Sequence, residues 1–117
     1  MTSTSPAGTS PAEGSTPLGI EAFGLTGRTA LVTGAGGGVG AAVAEAFAGA
    51  GAAVLVTDIN AEAAAVVAKR INERGGTADS FVLDVTDADN ARDAVAAAAR
   101  LGGGTLNIVV NNAGVIA

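Results

Sequence analysis

The chain has 117 residues and a formal net charge of −5 at neutral pH, with no cysteine, histidine, tryptophan or tyrosine. The lack of cysteine and histidine excludes disulfides, thiolate nucleophiles, imidazole bases and metal sites built from these residues. Since the chain has no basic patch, nucleic acid is not an expected partner. No uninterrupted run of apolar residues and glycine is longer than Ala46–Val56, which is too short to span a bilayer. We therefore expect no membrane partner and a cytoplasmic location.

Residues 1–24 are rich in serine, threonine, proline and glycine. Such a segment has too little apolar surface to offset the entropy that it would lose on folding, so we predict a disordered tail. It contains no lysine or arginine and no apolar stretch typical of a secretory signal. We expect one folded region, residues 25–117.

Strand and helix patterns alternate along this region. The patterns predict strands over Arg28–Thr33, Ala53–Thr57, Ala78–Leu83 and Leu106–Val110. Helices are predicted over Val39–Ala50, from an Asn60 N-cap to Arg74, and from a capping-box-like Thr86–Asp89 to Gly102. Strands that alternate with helices favour parallel pairing, so the fold class is α/β with a doubly wound sheet. The expected strand order is 3-2-1-4, with a ligand crevice at the carboxyl ends of the strands.

The spacing of apolar residues also predicts which helix faces are buried. Helical periodicity selects one face in each predicted helix. These faces are Val39, Val43, Ala46, Phe47 and Ala50 in the first helix, Ala64, Val67, Ala68 and Ile71 in the second, and Ala91, Val95, Ala98 and Leu101 in the third.

A glycine-rich stretch, Thr33–Gly40, joins the first strand to the first helix. Glycines in this context allow a tight turn, a close approach of the main chain to a pyrophosphate, and close packing of helix and strand. The helix start then presents N–H groups and a favourable dipole to the phosphates. The stretch predicts a dinucleotide-binding loop, although a flexible turn is the plainer alternative. The candidate binding residues here are Gly34, Gly36, Gly38, Val39 and Gly40.

Two acidic residues follow the next two strands. Asp58 lies about 20 residues past the glycines, where such folds place the acid that holds the ribose hydroxyls, and Ile59 follows it. Asp84 and Val85 lie at the end of the third strand. Each acid could instead be an ordinary residue of a strand end or turn, and Asn111–Gly114 alone could be a turn signal.

Together these residues resemble the short-chain dehydrogenase/reductase family. Its Thr-Gly-x-x-x-Gly-x-Gly fingerprint is matched by Thr33, Gly34, Gly38 and Gly40, and its Asn-Asn-Ala-Gly motif by residues 111–114. The resemblance implies a Rossmann-like fold, an adenine contact from Asp84–Val85, and cofactor contacts from Asn112, Ala113 and Gly114. Gly37 also fits the pattern of the extended, epimerase-like branch, but Asn-Asn-Ala-Gly favours the classical branch. Asn107 stands where the family often has Asp.

The resemblance implies an NAD(P)-dependent enzyme that moves hydride between nicotinamide and a carbonyl or secondary alcohol. The family's Tyr-x-x-x-Lys motif, with a Ser and a further Asn, lies beyond the fourth strand. This chain has no tyrosine and a single lysine, Lys69, so it offers no catalytic residue and no metal ligand set. We expect the cofactor-binding half of such an enzyme, truncated after strand four, inactive alone and homo-oligomeric at full length. Asp58 favours NAD over NADP. The alternatives are a non-catalytic dinucleotide-binding module or gene remnant and, with less support, an extended-type epimerase fragment.

Overall fold

The computed structural model describes residues 24–112. The predicted tail, apart from Gly24, lies outside the described residues, as do Ala113 and Gly114. The elements in chain order are β1 (Thr29–Val32), α1 (Gly38–Gly49), β2 (Ala53–Asp58), α2 (Ala61–Glu73), β3 (Thr77–Val82), α3 (Ala88–Leu101) and β4 (Ile108–Val110).

The strands form one parallel sheet in the order β3-β2-β1-β4. The predicted α/β fold and the strand order 3-2-1-4 are thus confirmed. In the register, Val32 at the end of β1 lies beside Val56 of β2 and Val110 of β4. The carboxyl ends of these three strands therefore meet at one edge of the sheet, where the glycine loop begins.

The two central strands are buried on both faces, which explains their continuous apolar sequences. Val32, Val54 and Val56 pack in a cluster with residues of α1 and α2. Leu31 and Leu55 belong to a second cluster with residues of α3. Successive side chains of a strand point to opposite faces, so the sheet lies between α1 and α2 on one side and α3 on the other.

The buried face of α1 differs from the prediction. The structure buries Gly40, Ala41, Ala44 and Ala48, whereas Val39 is 71% exposed. Nearly every residue of α1 is small or apolar, so periodicity alone does not select one face. The smallest residues then face the sheet because they allow the closest approach of helix and strand. Val43 and Phe47 are only partly buried at the margin of this contact.

In α3 the predicted inward residue Val95 is 45% exposed, and its neighbour Ala94 is fully buried instead. The reason is the same, since the alanine-rich sequence allows more than one face to pack. The predicted face of α2 is confirmed, with Ala64, Val67, Ala68 and Ile71 buried.

Two of the helix starts show which polar side chains act as caps. Asn60 caps α2 as predicted, its side chain accepting a bond of 3.0 Å from the Ala63 N–H. For α3 the predicted Thr86 cap is wrong: Asp87 is the cap and accepts bonds from the N–H groups of the two residues that follow Ala88. Thr86 lies one residue before the cap, since α3 begins at Ala88, and its N–H and hydroxyl instead donate to Asp84.

The last strand is shorter than predicted because a side chain replaces main-chain pairing at its start. The Thr29 N–H donates to Oδ1 of Asn107 at 2.8 Å, and the Asn107 N–H donates to the Thr29 carbonyl at 3.0 Å. Regular pairing begins only at Ile108. The strand lies at an edge of the described sheet, where Val109 is 60% exposed. Across residues 24–112, no helix is both long enough and apolar enough to cross a bilayer.

Candidate functional site

The glycine loop is held against the carboxyl edge of the sheet. Gly34 and Gly38 have φ angles of 62° and 59°, which favour glycine. The Ala35 N–H donates to the Thr57 carbonyl at 2.8 Å, which fastens the loop to β2. No side chain among residues 24–112 caps α1, whose N-cap is Gly37. The first N–H groups of this helix are therefore available to an anion.

The end of β4 secures the other side of the loop. The Asn112 side-chain amide donates to the Gly34 carbonyl at 3.2 Å, and the Thr33 hydroxyl donates to Oδ1 of Asn111 at 3.1 Å. A methyl group on Gly40 would lie 2.3 Å from the Gly34 carbonyl oxygen and 2.5 Å from the Asn112 side-chain nitrogen. The candidate residues Gly34, Gly40 and Asn112 are thus in direct contact, and glycine at position 40 is a steric requirement.

Asp58 is oriented by two main-chain donors. The Gly36 N–H donates to its Oδ2 and the Asn60 N–H to its Oδ1, each at 2.9 Å. A carboxylate oxygen has two lone pairs, so each oxygen can accept a further bond. The carboxylate is partly exposed at the end of β2, and it can accept hydrogen bonds from a ligand without losing those that orient it.

Asp84 is held by its own turn and by α3. Its Oδ1 accepts bonds from the Thr86 hydroxyl at 2.6 Å and the Thr86 N–H at 2.9 Å. These two bonds favour the charged form and hold the pKa of Asp84 below its usual value. Asn90 of α3 accepts from the Asp84 N–H at 2.7 Å and donates to the Val82 carbonyl at 3.2 Å.

Sequence reasoning missed Asn90. A polar residue in the first turn of a helix is commonplace, and no local signal showed that this one fixes the main chain on either side of Leu83.

A cavity of about 400 Å³ lies between these groups, lined by Gly34, Asp58, Ile59, Leu83, Asp84 and Val85. Ile59 is 67% exposed and Val85 is 40% exposed, so both present apolar surface to a ligand beside the two carboxylates. Five of the predicted site residues therefore line one crevice, next to the glycine loop. Such a crevice can bind an apolar ring that carries hydrogen-bond donors.

A second cavity of about 430 Å³ lies at the other end of α1 and α2, between Glu45, Ile71, Arg74 and several glycines. Its carboxylate is already paired, because Glu45 contacts Arg70 at 2.6 Å and Arg74 at 3.7 Å. It lies near the amino ends of the strands, away from the glycine loop. Within residues 24–112, no group of three acidic residues is placed to hold a metal ion. The crevice at the carboxyl edge is thus the better candidate site.

The family model described as short chain dehydrogenase matches residues 28–117. D-threitol dehydrogenase from Mycolicibacterium smegmatis is 45% identical over 96 residues, which are 80% of this chain and 35% of that relative. The crystal structure of a hydroxysteroid dehydrogenase from Escherichia coli superposes with a TM-score of 0.76 at 39% identity, covering 83% of this chain and 40% of that one.

An oxidoreductase from Haemophilus influenza, solved with bound NAD, has a TM-score of 0.75 at 31% identity and covers 84% of this chain and 35% of its own. The chain spans about a third of the length of the curated relatives that it matches. The match of the family model to residues 28–117 and the strand order 3-2-1-4 agree, and the chain belongs to the short chain dehydrogenase family of oxidoreductases.

Proposed function

We propose that this chain is the dinucleotide-binding part of an NAD-dependent oxidoreductase that acts on a carbonyl or secondary alcohol. The observation that carries the proposal is the Asp58 carboxylate, which two main-chain donors hold in the crevice beside the glycine loop. When bound, the nicotinamide supplies the chemistry by accepting or donating hydride. The residues of this chain bind and orient the dinucleotide.

The glycine loop suits a pyrophosphate. Gly38 has a positive φ angle and no atom within 4 Å of where a Cβ would be, so the main chain can approach a ligand closely. The uncapped N–H groups at the start of α1 would donate to phosphate oxygens, and the helix dipole favours their charge. Exposed Val39 then offers an apolar contact at the same helix end.

The crevice suits the adenosine part of the ligand. Asp58 would accept hydrogen bonds from the ribose hydroxyls, and Ile59 and Val85 would contact the adenine ring. Asp84 would accept a hydrogen bond from the adenine amine, with its carboxylate oriented by the two bonds from Thr86. Contacts from Asn112, Ala113 and Gly114 remain predictions, the last two for residues outside the described range.

NAD is the preferred dinucleotide in this proposal because Asp58 would repel a 2′-phosphate. Two like charges about 4 Å apart at an effective dielectric of about 20 cost about 4 kcal/mol, an upper figure for this partly solvated site. Each 1.4 kcal/mol is a factor of about ten in affinity, so we expect a preference of roughly ten- to a thousandfold. The loop has no cation to offset the repulsion, since residues 33–40 contain neither lysine nor arginine.

The test is to titrate the full protein with NADH and with NADPH and to measure binding by the fluorescence of the ligand. The Asp58→Asn variant keeps the shape of the side chain but removes its charge, so the preference for NADH should fall at least tenfold. Asp93→Asn removes the same charge from an exposed position on α3 and serves as the control. Equal or tighter binding of NADPH by the unmodified protein would contradict the proposal, as would an unchanged preference in Asp58→Asn.

The second candidate function is a dinucleotide-binding module without catalysis. One observation bears on it: these 117 residues contain no tyrosine, histidine or cysteine and a single, exposed lysine, Lys69 on α2, and dinucleotide binding without catalysis needs none of these proton donors. Reading the gene beyond codon 117 separates the two, because an in-frame Tyr-x-x-x-Lys supports the enzyme and a stop codon supports the module. A cytoplasmic location and a homo-oligomeric state stay predictions.

A further inference from the structure

Gly36 lies in a space that leaves no room for a side chain. A methyl group at this position would be 2.7 Å from the Ala63 Cβ and 2.9 Å from Oδ2 of Asp58. Gly36 is not among the glycines with positive φ, so this restriction comes from its neighbours and not from its own backbone conformation. Its neighbour Gly37 is different, since a methyl group there would have no atom within 4 Å.

The atoms around Gly36 are connected to one another. The Gly36 N–H holds Oδ2 of Asp58, and the Asn60 N–H holds Oδ1. The Asn60 side chain in turn accepts from the Ala63 N–H, which fixes the first turn of α2. Through these bonds the start of α2, the glycine loop and the carboxylate share one arrangement, in which the Ala63 methyl faces the Cα of Gly36.

We propose that Gly36 and Ala63 are positioning residues for Asp58 and thereby determine how strongly the protein discriminates between NAD and NADP. The inference rests on the proposed function. The Ala63 methyl occupies the space that a side chain at position 36 would need. With glycine there, the Gly36 N–H can approach the carboxylate and hold it where a ribose 2′-hydroxyl would bind. Neither residue has to touch the dinucleotide for this role.

The consequence can be tested because a displaced carboxylate changes the two affinities in opposite directions. In Gly36→Ala the new methyl must push away Asp58, Ala63 or both, which breaks or lengthens the Gly36 hydrogen bond. A carboxylate that swings toward solvent binds the ribose hydroxyls less well and repels a 2′-phosphate less. We expect the ratio of NADH affinity to NADPH affinity to fall about tenfold.

The double variant Gly36→Ala with Ala63→Gly tests the contact itself. Removing the Ala63 methyl lets the new methyl shift toward α2, so the carboxylate recovers part of its position. We expect about a threefold recovery of the affinity ratio relative to Gly36→Ala alone. Without ligand, the double variant should also lose less free energy of unfolding than the sum of the losses in the two single variants. Gly37→Ala is the matched control, because a methyl group there has no atom within 4 Å and does not displace Asp58. We expect any change in affinity to be the same for NADH and NADPH, so that the ratio is unchanged.

The experiment measures both affinities by fluorescence titration in the full protein, for the unmodified chain, the two single variants, the double variant and the control. A lowered ratio in Gly36→Ala that Ala63→Gly partly restores supports the inference. An unchanged ratio in Gly36→Ala, or a ratio that Ala63→Gly does not restore, would overturn it while leaving the proposed function intact. An unmodified protein that binds neither dinucleotide would overturn both.

Discussion

The Gly40→Ala substitution tests whether α1 packs against the loop as closely as the structure shows. The added methyl would lie 2.3 Å from the Gly34 carbonyl oxygen, well inside the 3.0 Å that Cβ atoms normally keep. Relief requires the helix start and the loop to separate by about 1 Å, and a packed interior resists such a shift. Overpacking of this kind costs about 1–3 kcal/mol. Loss of the Asn112 bond to the Gly34 carbonyl adds about 1 kcal/mol, so we expect a total of about 2–4 kcal/mol.

The neighbouring glycines provide a graded comparison. Gly38→Ala meets no atom within 4 Å but must adopt a φ angle of 59°, so it should cost roughly 1–2 kcal/mol. Gly37→Ala meets no atom, and its φ angle of −178° is extended backbone that any residue adopts. Its effect should lie within about 1 kcal/mol of zero, since the entropy gained in the unfolded chain offsets the poorer N-cap.

Urea denaturation of the three variants and the unmodified protein gives the free energies of unfolding directly. For a domain whose stability is about 5–15 kcal/mol, the expected loss at Gly40 is readily measured. The reasoning predicts an order in which Gly40→Ala costs most and Gly37→Ala least. If Gly40→Ala is as stable as Gly37→Ala, the close contact between α1 and the loop is wrong.

Three further predictions concern other parts of the chain. Asn107→Ala should cost about 1 kcal/mol of unfolding free energy by urea denaturation, whereas Asn107→Asp keeps an acceptor for the Thr29 N–H and should cost less than half as much. Thr86→Val should raise the pKa of Asp84 toward its usual value in an NMR titration. Because this pKa is lowered in the folded protein, the carboxylate contributes stability at pH values above its unfolded-state pKa. That contribution is lost as pH falls through the folded-state pKa. Residues 1–117 expressed alone should self-associate through the edge strand β4 and show no NAD-linked turnover. Val109→Lys should reduce the self-association measured by size-exclusion chromatography, and a monodisperse unmodified chain would contradict the role of β4.

The sequence was sufficient to predict the order of the elements and the topology of the sheet. Alternating apolar strands and helices leave few arrangements open, because parallel strands need crossovers and central strands need cover on both faces. Local polar signals were equally informative where the partner lies within the same turn. Asn60 caps α2 as predicted because its acceptor and the Ala63 N–H are three residues apart.

Contacts between distant segments could not be predicted in this way. Asn90 supports Asp84, and Ala63 lies against Gly36, but neither pair shares a motif. Their proximity depends on the angles at which α2 and α3 leave the sheet, which spacing does not encode. The Thr86 cap was predicted wrongly although its partners lie in the same turn. The Thr86 hydroxyl donates to Asp84, and Asp87 accepts from the start of α3 instead, a choice between neighbouring polar residues that the local pattern left open.

The two misplaced valines follow from what hydrophobic periodicity measures. Val39 and Val95 lie at helical spacing with other apolar residues, yet Val39 is largely exposed and Val95 is partly exposed. A periodic pattern reports which side chains favour leaving water, and it does not report what covers them. Val39 lies at the mouth of the glycine loop, where the proposed dinucleotide would cover it. We propose that the exposed apolar surface of Ile59 and Val85, beside Asp58 and Asp84, would be covered by the same ligand.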